Sequence, residues 1–381
     1  MRRPPIVRRA AIIATSIISL VPAARSGHEL PVYPSYYPHE IEIARVDPSA
    51  ASRLISDGKM HAYVGPIAEF AAGRPDAINA VASLGSMLII KLNPNSALAN
   101  DQGSACAAVA SILRGFRERT GELIIHPYPV TPLHGDYLYH ADLAEAAGRR
   151  LTQDYVPLGG LKVRPEGARS QSLIAPDMLA KGDEWDAAVE EVEVSTLVSG
   201  ASVASNGWLG PRWVRMGWFH AYRLLAKTLD DAGQRERVEA EVARLMAGSY
   251  ENALERINLE RDLVKSLTSR CRALPAGYTL KREYLNGEFS AGVENVGYDA
   301  LEGLHSPMFL RTVKLKDFPW NGWLQLGIGT PAQAAWNPVA GFSDDFGRLM
   351  WFAIGDPAVM PSPYDANWIV NRFAGLEATP H

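Results

Sequence analysis

The side chains best suited to chemistry crowd into residues 125–142, IHPYPVTPLHGDYLYHAD. His126, His134, Asp136 and His140 offer imidazole nitrogens and a carboxylate over fifteen positions, a donor set that suits zinc, copper or iron. A helix over residues 137–147 would set Asp136 and His140 one turn apart, with His134 at the preceding turn able to close on them. Asp136 is equally placed to cap that helix, and Pro127, Pro129 and Pro132 describe a stiff, extended approach to it. The run therefore reads either as a transition-metal centre, zinc or copper, or as a capped turn with aromatic packing.

A second set is aromatic. Tyr33, Tyr36 and Tyr37 lie close together, Asn206-Gly207-Trp208 is repeated as Asn321-Gly322-Trp323, and Trp336 is followed by Asn337. Indole and phenol faces beside amides hold sugars or cations by stacking, which makes Tyr33, Tyr36, Tyr37, Trp208, Trp323 and Trp336 a candidate ligand-binding set. Nine tryptophans in a chain of this size serve core packing just as well. Phosphate-loop, nucleophile-elbow and haem-attachment signatures are missing, and adjacent acids such as Asp344-Asp345 point to opposite faces of a strand.

The elements that would position these groups begin with a leader. Arg2, Arg3, Arg8 and Arg9 precede an apolar run from Ala10 to Val21, and Ala24-Arg25-Ser26 supplies small residues at the two positions a signal peptidase reads. Residues 1–26 are expected to be a signal peptide, since the run is too short to span about 30 Å of hydrocarbon. The expected location is periplasmic or secreted, and the protein is not expected to be integral to a membrane. Lys and Arg total 38 against 42 Asp and Glu; removing the five leader arginines leaves 33 basic groups and a net charge of −9. Such a surface repels phosphate backbones, which excludes nucleic acid as the expected partner. Cys106 and Cys271 either pair as a disulfide in that oxidising compartment or serve as small buried hydrophobes.

Hydrophobic periodicity predicts an α/β chain, and a length of 381 residues favours two compact units, so the expected architecture is a two-lobed mixed sheet. Residues 27–160 read as an α/β lobe, with strands at 40–46, 61–64, 86–92 and 123–126 and helices at 49–55 and 105–117. Residues 161–274 read as an α/β start followed by an inserted helical segment at about 211–271, where Trp213, Met216, Ala221, Leu224, Val238, Val242, Leu245, Leu254, Ile257, Val264 and Leu267 recur at helical spacing. Residues 275–381, rich in Gly, Pro and Trp, read as β-rich, with strands at 278–284, 309–315 and 349–354.

Two stretches share a pattern. Leu54-Ile55-Ser56-Asp57-Gly58-Lys59-Met60-His61-Ala62-Tyr63-Val64 and Met178-Leu179-Ala180-Lys181-Gly182-Asp183-Glu184-Trp185-Asp186-Ala187-Ala188-Val189 each read as a helix end, a glycine cap, a polar link and a strand start. In this the chain resembles type II periplasmic solute-binding proteins. The resemblance implies two lobes that close on a small molecule held in the cleft between them, and a membrane transporter as partner. Two other functions remain open: a periplasmic metal-dependent enzyme centred on His126, His134, Asp136 and His140, and a non-catalytic component of a periplasmic complex with the Trp-rich C-terminal part as interface.

Overall fold

The computed structural model describes residues 38–65, 68–71, 73–117, 123–153, 155–198, 211–319, 322–331, 344–355, 358–363, 365 and 367–371. The expected leader at 1–26 and the candidate residues Tyr33, Tyr36, Tyr37, Trp208 and Trp336 lie outside them.

Runs of β-branched and apolar residues build an eight-stranded mixed sheet. Its strands are β1 (Glu40–Arg45), β2 (Ala62–Val64), β3 (Ile78–Leu92), β4 (Leu123–Ile125), β5 (Val163–Glu166), β6 (Ala187–Glu193), β7 (Ala273–Asn286) and β10 (Trp323–Ile328). The order is β1-β10-β2-β7-β3-β6-β5, with β4 pairing β7. β10 runs parallel to both β1 and β2, and β5 parallel to β6, while β7 is antiparallel to β2, β3 and β4. Short ribbons β8 (Val293–Glu294) with β9 (Lys314–Leu315), and β11 (Val359–Pro361) with β12 (Trp368–Val370), complete the strands.

β3 and β7, at 15 and 14 residues, run through both halves of this sheet, and their pairing slips between Leu84 and Met87 and again between Leu88 and Ile89. A slip of this kind bends and twists the ladder, dividing the sheet into two halves joined by continuous strands. Gly85 sits at the first slip, where a Cβ would lie 2.9 Å from Thr279 Oγ1 and 3.0 Å from Lys281 N, so a side chain there would push the two strands apart.

Each half has its own cover. In the first, Val64, Leu324, Leu326 and Ile328 pack against α8 (Pro307–Thr312) and α9 (Asp345–Ile354), while Tyr63 packs with Ala51 and Ile55 of α1 (Pro48–Ser56). In the second, alternation along β3 sorts its side chains between faces. Leu88 and Ile90 meet Cys106, Val109, Ile112 and Leu113 of α2 (Gln102–Arg117) and Leu151 of α3 (Ala141–Gln153); Met87 and Ile89 meet the helical unit opposite. That unit comprises α5 (Gly217–Leu225), α6 (Ala232–Ala247) and α7 (Ala253–Thr268), which fall inside the expected helical segment. Residues such as Leu225, Leu263 and Val264, fully buried, each contribute about 1.5–3 kcal/mol through removal from water.

Side-chain caps set the helix starts. Asp231 Oδ1 accepts from Gln234 N at 2.6 Å and Asn252 Oδ1 from Glu255 N at 3.0 Å. Capping also corrects two expected strands. Ser306 and Pro307 start α8 ahead of the 309–315 run, so that residues 309–312 are helical and 314–315 belong to β9, and Asp344, accepting from Gly347 N at 2.9 Å, starts α9 over the 349–354 run. Residues 307–312 are all buried, and residues 349–354 are all apolar although Ile354 is 72% exposed; in both, the residue types hide the period that separates helix from strand. In the repeated pattern, Gly58 and Gly182 both take positive φ, +70° and +81°, but only Gly58 follows a helix; α4 (Ala168–Leu173) ends well before Gly182. Among the described residues no helix is long and apolar enough to cross a membrane.

Candidate functional site

The slip between β3 and β7 opens a hollow of about 640 Å³. Gly65, His305, Thr330, Asp345 and Phe346 line it from the first half of the sheet and its helices, Arg169, Glu193 and Ser195 from the second, and Leu84, Gly85, Thr279, Leu280 and Lys281 from the shared strands. The volume is that of a small-molecule site. Its floor is tied by hydroxyls: Ser86 N donates to Thr279 Oγ1 at 3.0 Å, and Ser86 Oγ donates to Glu191 Oε1 at 2.6 Å.

Both signs of charge face this space. Arg169, whose Nε lies 2.9 Å from Glu191 Oε1, and Lys281 supply the cations; Glu193 and Asp345 supply the anions. Glu193 is exposed by area, yet its carboxyl is pushed above the ordinary value, first by desolvation within the concavity and then by neighbouring Glu191. Behind the wall, the fully buried Glu283 has Lys281 Nζ at 3.3 Å and His305 Nδ1 at 3.2 Å, and accepts from Leu304 N at 2.6 Å. Burial raises its carboxyl, but Lys281, His305 and that N–H outweigh burial and hold it below the ordinary range. Lys281 Nζ also donates to Glu302 O at 3.0 Å, so the cation on the cleft wall is held in place from behind.

The histidine-rich run folds against the helical unit. It forms a short 3₁₀ turn, Tyr137–Tyr139, before α3, rather than one helix from 137 to 147. His126 bonds through Nε2 to Val130 O at 2.9 Å and packs edge-on against Tyr278. His134 is held at Nδ1 by Thr131 N at 3.0 Å and reaches His220 Nδ1 through Nε2 at 2.9 Å. Burial lowers both imidazoles, His134 well below its ordinary value with His220 adding to the fall, and His220 to about 4 against the opposing hydrogen bond to Val214 O.

Asp136 caps a helix, though not its own. Its fully buried carboxylate accepts from Gly217 N at 2.9 Å and Trp218 N at 3.2 Å, the first turn of α5, 81 residues away. Burial raises it and these two N–H groups oppose the rise. One oxygen of Asp136, one nitrogen of His140 and one oxygen of Glu260, from α7, lie within 4.8 Å of one another, and all three residues are buried. Tyr128 Oη is 2.9 Å from His140 Nδ1, and Arg256 Nη1 donates to Glu260 Oε1 at 2.8 Å. His140 Nε2 and Glu260 Oε2 have no protein partner. Burial lowers His140 to about 4 and raises Glu260 to about 7, the latter partly offset by Arg256.

The fold thus brings together Asp136 and His140 of the four candidate ligands and turns His126 and His134 to other partners. Of the candidate aromatics, Trp323 stands 64% exposed at a separate hollow bounded by Leu315, Asp317, Phe318 and Gly322. It occupies the end of β10 opposite Ile328, roughly 16 Å along the strand from the cleft end. Sequence reading singled out neither Glu260 nor the cleft residues Arg169, Glu193 and Lys281.

No family model matches this chain, and no curated protein matches it. Its solved structural neighbours are periplasmic solute-binding proteins. They include HbpA2 from Haemophilus parasuis (TM-score 0.40, 13% identity, 71% of this chain and 57% of that one). Also among them are the ABC transporter-associated periplasmic binding protein DppA from Helicobacter pylori in complex with the peptide STSA (0.41, 11%, 71% and 55%) and the oligopeptide-binding protein AppA from Bacillus subtilis in complex with a nonapeptide (0.38, 13%, 71% and 58%). The chain spans little more than half the length of these structures. They are proteins of the kind that the Leu54–Val64 and Met178–Val189 stretches resemble.

Proposed function

We propose that the protein is an exported solute-binding protein that holds a small molecule in the hollow between the two sheet halves and presents it to a membrane transporter. The observation that supports this reading is the charged hollow of about 640 Å³ at the slip between β3 and β7, with Arg169 and Glu193 on one side and Asp345 on the other. Strands that continue through a bend act as a hinge, so a ligand contacting both sides favours the closed arrangement by its extra contacts there.

The mixed charge of the lining favours a solute that carries both signs. A ligand carrying both an anionic and a cationic group can meet charges of opposite sign on the two sides, whereas a ligand of one sign also faces like charge on the wall. Free amino acids and short peptides have this character. The Cys106–Cys271 bond, formed in the structure, suits delivery to an oxidising compartment. A thermal-shift screen of the purified mature chain against amino acids, di- and tripeptides, neutral sugars and dicarboxylates tests the proposal. Zwitterions are expected to raise the melting temperature, since a ligand at a hundred times its Kd adds about 2.7 kcal/mol. A screen in which sugars or dicarboxylates alone stabilise the protein would refute the assignment.

A further inference from the structure

We propose that Asp136, His140 and Glu260 bind one divalent cation of the zinc type, as a clip between the turn preceding α3 and helix α7. Three donor atoms from three buried side chains already lie within 4.8 Å of one another. Tetrahedral zinc with bonds near 2.1 Å separates its ligand atoms by about 3.4 Å, so side-chain shifts of about 1 Å would close the site.

The surroundings are those of a ligand cage. Tyr128 Oη engages His140 Nδ1, which fixes the ring and leaves Nε2 without a protein partner. Arg256 holds Glu260 Oε1 and leaves Oε2 likewise. Gly217 N and Trp218 N orient Asp136 from the start of α5. Such outer contacts aim first-layer ligands and set the histidine tautomer. Charge argues the same way: two buried carboxylates face one guanidinium, and an uncompensated buried charge is costly enough that a cation or a proton must balance it. Carboxylate and imidazole donors without a thiolate favour zinc over copper(I). None of the three residues lines the cleft, and the three join segments about 120 residues apart, so the ion's effect is on stability of the helical unit.

The full chain, stripped with EDTA and desalted, is titrated with Zn²⁺ in competition with a chromophoric chelator, and with Co²⁺ while the visible spectrum is recorded. The expected result is one equivalent of Zn²⁺, a higher melting temperature, and Co²⁺ bands more intense than those of the hexaaqua ion. Glu260→Gln keeps an acceptor for Arg256 and His140→Gln keeps a polar side chain; each is expected to weaken zinc binding at least tenfold, while His126→Gln leaves it unchanged. Failure to take up an equivalent of Zn²⁺, a hexaaqua-like Co²⁺ spectrum, or uptake that Glu260→Gln leaves intact would overturn the proposal, a proton then balancing the cluster. The Co²⁺ spectrum of the unmodified chain decides the matter even if a variant fails to fold.

Discussion

His220 shows how a single proton is managed inside this fold. Because Thr131 N donates to His134 Nδ1, His134 carries its proton on Nε2 and donates to His220 Nδ1, leaving His220 Nε2–H for Val214 O at 2.9 Å. Both rings are neutral in this arrangement, and a second proton on His220 would set two donors against each other. Its folded value near 4 lies below the 6.5 of an exposed histidine, so between those limits the unfolded chain binds a proton that the folded chain does not. The stability this residue contributes is complete above pH 6.5 and is lost as pH falls toward 4. From pH 7 to pH 4 the wild type is expected to lose about 3 kcal/mol more than His220→Gln, read from urea midpoints; parallel profiles would refute the neutral pair. The position was open to inspection in the sequence. His220 interrupts the stripe Trp213, Met216, Leu224, and Glu260 interrupts Ile257, Val264, Leu267, so each is a polar side chain at a spacing that belongs to the core. What spacing does not carry is the partner, since Asp136 and Glu260 meet only through the packing of α5 against α7.

At the scale of elements, the disulfide joins α2 to the turn between α7 and β7 across 165 positions. Closing so long a loop restricts the unfolded chain, by about 5 kcal/mol in the chain-entropy account. Protein unfolded and refolded in reductant is expected to melt on the order of 10 °C below the oxidised form in calorimetry; equal melting temperatures would mean that the native half-sheet holds α2 in place unaided. Long periodic helices and alternating strands were legible: α2, α6, α7 and β7 contain their expected runs, β1 covers 40–45 of its own, and α5 starts after Trp213 and Met216. The pairing of Cys106 with Cys271 was not, because helical context alone fits either a bond or a buried thiol. Residues 309–312 and the run at 349–354 misled for a physical reason, since burial at every position in the first and apolar residues at every position in the second hide the helical period, and the caps Ser306 and Asp344 mark them as helices.

Across the whole molecule, the α/β class follows from hydrophobic pattern, but the cleft between the two sheet halves does not. It depends on a register slip at Gly85 that brings Arg169, Glu193, Lys281 and Asp345, spread over 176 positions, to one space. The candidate aromatic Trp323 instead faces a different hollow. A surface charge of −9 after removal of the leader arginines also gives no hint that cations line the interior wall. Capture of a solute between halves requires that both halves contribute to affinity. Isothermal titration calorimetry with the tightest zwitterion from the screen, on the wild type, on Arg169→Gln and on Asp345→Asn, tests this directly. One site per chain is expected, with affinity falling at least tenfold in each variant, because each removes a charge-assisted contact of about 1.5–3 kcal/mol. Binding that survives both substitutions unchanged would contradict the account.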